Sequence, residues 1–125
     1  MPATTKRRSS GRPAEVQAKI WIERGGKVVL SDWRAELLQA IEETGSLSSA
    51  AARMDVPYRT AWYKLKEIEE QLGVRLVSAH SGGSDGGGSA LTPEGQEILR
   101  KFRRIYRDID AIVRRRFERE FGTTL

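Results

Sequence analysis

Residues 45–73 read GSLSSAAARMDVPYRTAWYKLKEIEEQLG. The stretch divides at Asp55-Val56-Pro57, where a proline and a short polar residue break any helix that precedes them. Before the break, residues 46–54 predict a short Ala-rich helix with Ser48 as its cap, and its alanines allow close approach to another helix. After it, residues 58–73 predict a longer helix. Ala61, Leu65, Ile68 and Leu72 recur at i, i+4, i+7 and i+11, one face of a 3.6-residue period, and Gly73 ends the run. Trp62, beside Ala61, is expected in the core against the preceding helix. A short helix, a three-residue break and a longer helix form the outline of a helix-turn-helix.

Working outward, residues 31–45 predict one more helix, with Trp33, Leu37, Leu38 and Ile41 at helical spacing, Ser31 or Asp32 as cap and Gly45 as stop. Residues 19–30 place two β-rich runs around Arg24-Gly25-Gly26-Lys27, a short hairpin. On the other side, residues 74–80 alternate well enough for a strand, with Val74, Leu76 and Ser78 on one side. A glycine run follows, and residues 89–92 form a short return strand. Thr92 then caps, and Pro93 opens, a final helix reaching Phe121. At ~1.5 Å per residue that helix is roughly 40 Å long, more than so small a core can cover. The expected fold is mainly α with small β: a winged helix-turn-helix with an N-terminal β-hairpin and a long C-terminal dimerisation helix. Residues 1–18 are expected as a disordered basic arm, 19–92 as the winged domain, 93–121 as the dimerisation helix and 122–125 as a tail.

The charge distribution points to a partner. The chain has 125 residues and a formal charge of +5, with no Cys and one His. Residues 1–13 carry Lys6, Arg7, Arg8 and Arg12 and no acid, for +4; residues 93–121 carry nine bases and six acids, for +3; the middle is left at −2. Basicity at the two ends suits a polyanion, nucleic acid above all, although a solubilising arm would look the same by charge alone. The missing cysteines exclude a disulfide framework and a thiolate metal site. A single His excludes a histidine cluster, so no metal or cofactor is expected. No apolar run is long enough to span a membrane, and no apolar signal core opens the chain. A cytoplasmic, nucleoid-associated location is expected.

In a helix-turn-helix the second helix enters the major groove with its N-terminal residues at the base edges. On 58–73 the side chains pointing away from the apolar stripe near its start are Tyr58, Arg59, Thr60, Tyr63 and Lys64. Arg59 can donate two hydrogen bonds to a guanine edge. Thr60 can bond a base or a phosphate and touch a thymine methyl, and Lys64 suits a phosphate. A plain solvated helix face also carries Arg, Lys and Tyr; the order of elements favours the DNA reading. By resemblance to winged helix-turn-helix DNA-binding domains, Ser48, Ser49 and Pro57 beside this helix, and Gly83, Ser84, Gly86 and Gly87 in the loop, are also expected at the DNA.

Two rival classes are weighed. A phosphate loop needs GxxxxGK[ST]; Gly82 and Gly87 give the glycine spacing, but Gly88-Ser89 follows where Lys-Ser is needed. His80 lacks a carboxylate to orient it, so catalysis is not expected. A low-specificity architectural DNA binder, or a winged-helix accessory that contacts proteins, remains the alternative.

The long helix offers Ile98, Phe102, Ile105, Ile109 and Ile112 at 4-3-4-3 spacing, a heptad seam, widened by Val113 and Phe117. Part of this stripe is expected to pack on the winged domain and part on a second copy. A two-fold homodimer presents two recognition helices to successive major grooves, hence a roughly palindromic operator. Arg114, Arg115 and Arg116 near the helix end are read as a solvated face favoured by the helix dipole.

The stretch GSLSSAAARMDVPYRTAW (45–62) resembles the N-terminal DNA-binding domain of ModE-type, molybdate-responsive regulators, a branch of the LysR-like winged helices. LVSAHSGGSDGGGSALTPEGQ (76–96) resembles the wing of the same family, in which a glycine-rich run is followed by Leu-Thr, two residues, then Gly. The likeness runs from about residue 19 to 121. It implies a prokaryotic transcription factor, dimeric through the long helix, with Tyr58, Arg59 and Thr60 at the DNA. The departures are specific. Pro57 stands where the family usually has a capping Ser, Ser84-Asp85 where the wing tip is often basic, and Ser78-Ala79 where the strand often carries Glu-Arg. The arm residues Lys6, Arg7, Arg8 and Arg12 are expected to replace the lost wing charge, in an adjacent minor groove. Full-length members carry molybdate-binding domains after the long helix, so this chain by itself is not expected to bind molybdate.

Overall fold

The structure is a computed structural model that describes residues 11–82, 86–122 and 125. The elements run β1 (Trp21–Arg24), β2 (Lys27–Ser31), α1 (Asp32–Thr44), α2 (Leu47–Arg53), α3 (Tyr58–Leu72), β3 (Val77–Gly82), β4 (Gly86–Leu91) and α4 (Pro93–Phe121). Two antiparallel two-stranded sheets, β1-β2 and β3-β4, flank the helices. Two compact units divide the chain: Lys19–Tyr106, and Met1–Ala18 with Arg107–Leu125.

Within Lys19–Tyr106 the core is the shared inner face of the helices. Leu37, Leu38 and Ile41 of α1, Ala50 and Ala51 of α2, and Ala61, Leu65 and Ile68 of α3 are buried, together with Leu76 and Phe102. The expected stripe of α3 is thus the buried one. Ser31 caps α1, its side chain accepting from the Arg34 N–H at 3.2 Å, and Gly45 and Gly73 close α1 and α3 in the left-handed region.

The cap of α2 is Ser46, not Ser48. Ser46 is extended, and its Oγ accepts from the Ser49 N–H at 2.9 Å, while Ser48 lies inside the helix. The helix thus starts at Leu47, two residues earlier than a Ser48 cap implies, with Leu47 buried at its first position.

The wing also differs from expectation. Residues 74–76 are not strand: β3 begins at Val77. The Leu76 and Val77 N–H groups instead donate to Oε2 of Glu69, at 2.8 and 3.2 Å, and the Leu76 carbonyl accepts from the Thr92 N–H at 2.8 Å. Val74 is exposed, while Leu76 and Val77 are both buried, so the predicted alternation is absent. From Val77↔Leu91 the ladder runs outward to Gly82↔Gly86. Gly86, Gly87 and Gly88 therefore belong to β4, which starts earlier than the expected 89–92; residues 83–85 lie outside the described residues. The backbone N–H of Ser89 donates to the Gly45 carbonyl at 2.7 Å, and Glu42 accepts from the Leu91 N–H at 3.1 Å, which fixes the wing to the end of α1.

Thr92 caps α4 as expected, its Oγ1 accepting from the Gly95 N–H at 3.0 Å and donating to the Arg75 carbonyl at 2.6 Å. Gly95 is the glycine of the Leu-Thr-x-x-Gly pattern, and its role is close approach. A Cβ there would collide with the Leu76 carbonyl oxygen and lie 3.1 and 3.2 Å from that residue's C and Cα. These are backbone atoms already committed to Thr92 and Glu69, so they have little freedom to move. Gly95→Ala is expected to destabilise the domain by about 1–3 kcal/mol, the range of core overpacking, measured as a lower urea midpoint with unchanged m-value.

In the second unit, the described residues before Lys19 form no helix or strand, and the Ala14 N–H donates to the Leu125 carbonyl at 3.2 Å. Arg114 donates to Asp110 at 2.7 Å, and this bond is the main reason its pKa is raised above the ordinary arginine value. Phe117 and Phe121 stack at 5.3 Å between ring centroids. Among the described residues, no helix is long and apolar enough to cross a membrane.

Candidate nucleic-acid interface

The turn between α2 and α3 is built by its own hydrogen bonds. The N–H groups of Met54, Asp55 and Val56 donate to the carbonyls of Ala50, Ala52 and Ala51 at 3.0, 3.1 and 3.0 Å. Asp55 takes φ 58, the left-handed region that Asp tolerates better than most residues. Pro57 follows at φ −61, ψ 148 and caps α3 without a side-chain bond, its carbonyl accepting from the Ala61 N–H at 3.2 Å. The capping hydroxyl of the family pattern is thus missing, and the helix still starts at Tyr58.

Ala50 and Ala51 of α2 and Ala61 of α3 are all buried, so small side chains bring these helices close together. This tight seam leaves no space for an indole. Trp62, expected in the core, is 39% exposed. Helical geometry explains the difference. Residue 62 lies about 100° around the axis from Ala61, toward Tyr58 and Lys66, each one turn away. That spacing was present in the sequence and would have placed Trp62 beside Arg59 and Tyr63.

The structure brings Tyr58, Arg59, Trp62 and Tyr63 together around a shallow hollow of about 290 Å³. Trp62 and Tyr63 meet edge-to-face, with centroids 5.3 Å apart, and the Lys66 ammonium lies 5.6 Å from the centre of the indole ring. Thr60 and Lys64 lie on the other flank of α3. Thr60 is half-buried, and the Lys64 ammonium is 3.7 Å from Glu67. Exposed pairs of this kind are worth little, so Lys64 can be drawn away by a phosphate. Ser48 and Ser49 are exposed on α2, and Gly86 and Gly87 are paired in β4 with Gly82 and Ser81. Gly83 and Ser84, and Lys6, Arg7 and Arg8, lie outside the described residues. Arg12 is exposed, in the unit that holds the end of α4.

Two charged side chains missed by the sequence reading hold α3 in place. Arg34 of α1, 8% exposed, donates to the Val28 and Val29 carbonyls at 2.8 and 3.4 Å, to Gln71 at 3.0 Å and to Glu67 at 3.1 Å. It links the hairpin to the far end of α3, where Arg24 also donates to the Gln71 carbonyl. Glu69, 9% exposed, links α3 to the start of the wing through Leu76 and Val77. Near the start of the pair, Glu43 of α1 meets Arg53 of α2 at 2.6 Å; the Gln39 amide, then this guanidinium, hold its carboxyl below the ordinary value.

On α4, Phe102 is 1% exposed and belongs to the core rather than to a dimer seam, with Tyr106 edge-on to it at 5.9 Å; Ile98 is packed against the same core. Ile105, Ile109 and Ile112 are exposed at 49, 37 and 53%. Val113 and Phe117 line an apolar hollow with Val16, Ile112 and Phe121.

Residues 34–96, just over half of the chain, match the family described as "Bacterial regulatory helix-turn-helix protein, lysR family". The chain is similar to the molybdenum-pterin-binding protein MopB of Rhodobacter capsulatus, 39% identical over 66 residues, which make up 53% of this chain and 24% of MopB. It is also similar to the molybdenum transport protein ModE of Azotobacter vinelandii, 31% identical over 102 residues, 82% of this chain and 38% of that protein. The chain thus spans well under half the length of these curated relatives. Among solved structures, the protein chain of a CbnR DNA-binding domain–DNA complex superposes with a TM-score of 0.51 at 26% identity, covering 65% of this chain and 87% of that one.

Proposed function

The chain belongs to the lysR family of bacterial regulatory helix-turn-helix proteins, and from that premise we propose that it is a transcriptional regulator that binds double-stranded DNA sequence-specifically, as a homodimer on a roughly palindromic operator. The observation that carries the reading is the outer face of α3. Residues 58–66 hold Arg59, Lys64 and Lys66 and no acid; all three cations are exposed while Ala61 and Leu65 are buried, and Arg59 lies beside Tyr58, Trp62 and Tyr63. A single helix fits the major groove, and a guanidinium at its start matches the two acceptors of a guanine edge. Tyr58, Arg59, Thr60 and Tyr63 read bases; Lys64, Ser48, Ser49 and the backbone of the wing at Gly83, Ser84, Gly86 and Gly87 position the phosphates, and Pro57, which has no donor, meets the DNA only by apolar contact. Lys6, Arg7, Arg8 and Arg12 supply the charge that the wing lacks.

The homodimer forms along α4. Ile105, Ile109 and Ile112 repeat at i, i+4 and i+7 and expose apolar surface that a second helix would cover, with Val113 and Phe117 beside them.

The test is duplex binding by the chain as it stands, to a sequence selected from random DNA and to an unrelated one, at 50 and 200 mM salt. With six or more phosphate contacts, affinity should fall by about a thousandfold between the two. The selected sequence should be two-fold symmetric, and light scattering at micromolar concentration should give twice the chain mass. Equal binding to both duplexes would favour a low-specificity architectural protein. No binding to either would sink the reading.

A further inference from the structure

We propose that the hollow formed by Tyr58, Arg59, Trp62 and Tyr63 seats the C5-methyl group of a thymine, and that Trp62 is the residue that selects thymine at one position of each half-site. The proposal rests on the DNA-binding reading above and names what this part of α3 recognises.

Three aromatic side chains within six residues are exposed here, Tyr58 at 54%, Trp62 at 39% and Tyr63 at 60%. Large apolar groups clustered at a surface mark a contact site more often than scattered ones do. The cluster is also organised in advance. The Trp62 and Tyr63 rings brace each other at an interplanar angle of 80°. The Lys66 ammonium lies over the indole and also meets Glu69 at 3.5 Å. A cation over an aromatic face is attracted to it, so the indole is fixed from one turn further along the helix.

The chemistry of the hollow selects its occupant. It is lined by three aromatic residues and one arginine, and the cations around it favour a polyanion. The edges of base pairs in the major groove present hydrogen-bond donors and acceptors, and one apolar group, the thymine methyl. The donors and acceptors suit Arg59; the methyl suits the rings. Because Arg59 lines the same hollow, the thymine lies within one or two base pairs of the guanine that Arg59 reads. Burial of one methyl group is worth roughly fourfold in affinity.

The experiment replaces each thymine of the selected operator by uracil, which removes the methyl and leaves every hydrogen-bonding group in place. At one thymine per half-site, wild-type affinity should drop roughly fourfold. Trp62→Ala should bind the thymine operator more weakly, with an unchanged salt slope, and should lose the thymine-over-uracil preference; Trp62→Phe should keep part of it. A purely structural role for the indole would lower the unfolding midpoint and leave the preference intact, which overturns the proposal. So would a wild-type change below twofold at every thymine, or a selected half-site that contains none. The uracil comparison needs no variant, so a poorly folding Trp62→Ala cannot obscure it. Failure to select any operator would instead count against the underlying reading.

Discussion

Glu69→Ala is expected to be the most destabilising single substitution in this domain among those at its polar contacts, at about 3–5 kcal/mol. Glu69 is 9% exposed, and its carboxylate accepts from two consecutive backbone N–H groups, of Leu76 and Val77, both in buried residues. Hydrogen bonds to a charged acceptor contribute about 1.5–3 kcal/mol each, and a donor left unpaired in the interior adds the cost of its desolvation. No local group can take over, because the backbone here is committed elsewhere: the Leu76 carbonyl already accepts from Thr92, and Val77 starts the ladder with Leu91. Urea unfolding followed by far-UV circular dichroism measures the loss. Glu69→Gln is the informative control, because it keeps an oxygen acceptor of the same shape and removes the charge. It should lose less than Glu69→Ala; equal losses would mean that the two bonds depend wholly on the charge, and no loss in Glu69→Gln that they draw no strength from it. A change below about 1 kcal/mol for Glu69→Ala would remove Glu69 from its role of holding the wing to α3.

Glu69 also shows where a reading of the chain by itself stops. The helix-turn-helix was legible because its signals are local: the apolar face at Ala61, Leu65, Ile68 and Leu72, the break at Asp55-Val56-Pro57, and the glycines that end α1 and α3. The boundary of β3 was not. Residues 74–80 alternate acceptably, and nothing in that alternation shows that the Glu69 carboxylate takes the Leu76 and Val77 N–H groups at the point where the strand begins. Arg34 is a similar case. In sequence it is one charged residue in an amphipathic helix, and only the carbonyls of β2 and the side chains of Gln71 and Glu67, more than thirty residues away in two of its bonds, make its burial tolerable. Gly95 was visible as part of a pattern, but its reason is a carbonyl from before the wing. Trp62 differs from expectation for a local reason: Ala61 beside it is core, but one residue along a helix turns the side chain about 100° away, onto the exposed face. The same angle put Arg59 correctly on the outside.

Arg59→Ala is expected to lower specific DNA affinity by about 1–3 kcal/mol for each half-site, and so by about 2–6 kcal/mol for a dimer on a symmetric operator. The residue is exposed one position into α3, without an acid in the first turn of the helix to hold it back. Its fold contribution is small for the same reason, so the unfolding midpoint should stay within a few tenths of a kcal/mol of the wild type, as for other surface sites. Two readouts separate base reading from simple charge. A guanidinium that reads a guanine makes the variant indifferent to the base at that position while preference elsewhere in the site survives. One that only attracts phosphate leaves the preference profile unchanged and lowers the salt slope by about one for each phosphate that is no longer neutralised. Arg59→Lys sharpens the distinction. Lysine keeps the charge but loses the fixed fork of donors, so it should recover binding to unrelated duplexes and little of the guanine preference. Survival of the guanine preference in Arg59→Ala, or a loss below a few tenths of a kcal/mol in that variant, would take Arg59 out of base recognition and leave the aromatic cluster as the specific part of α3.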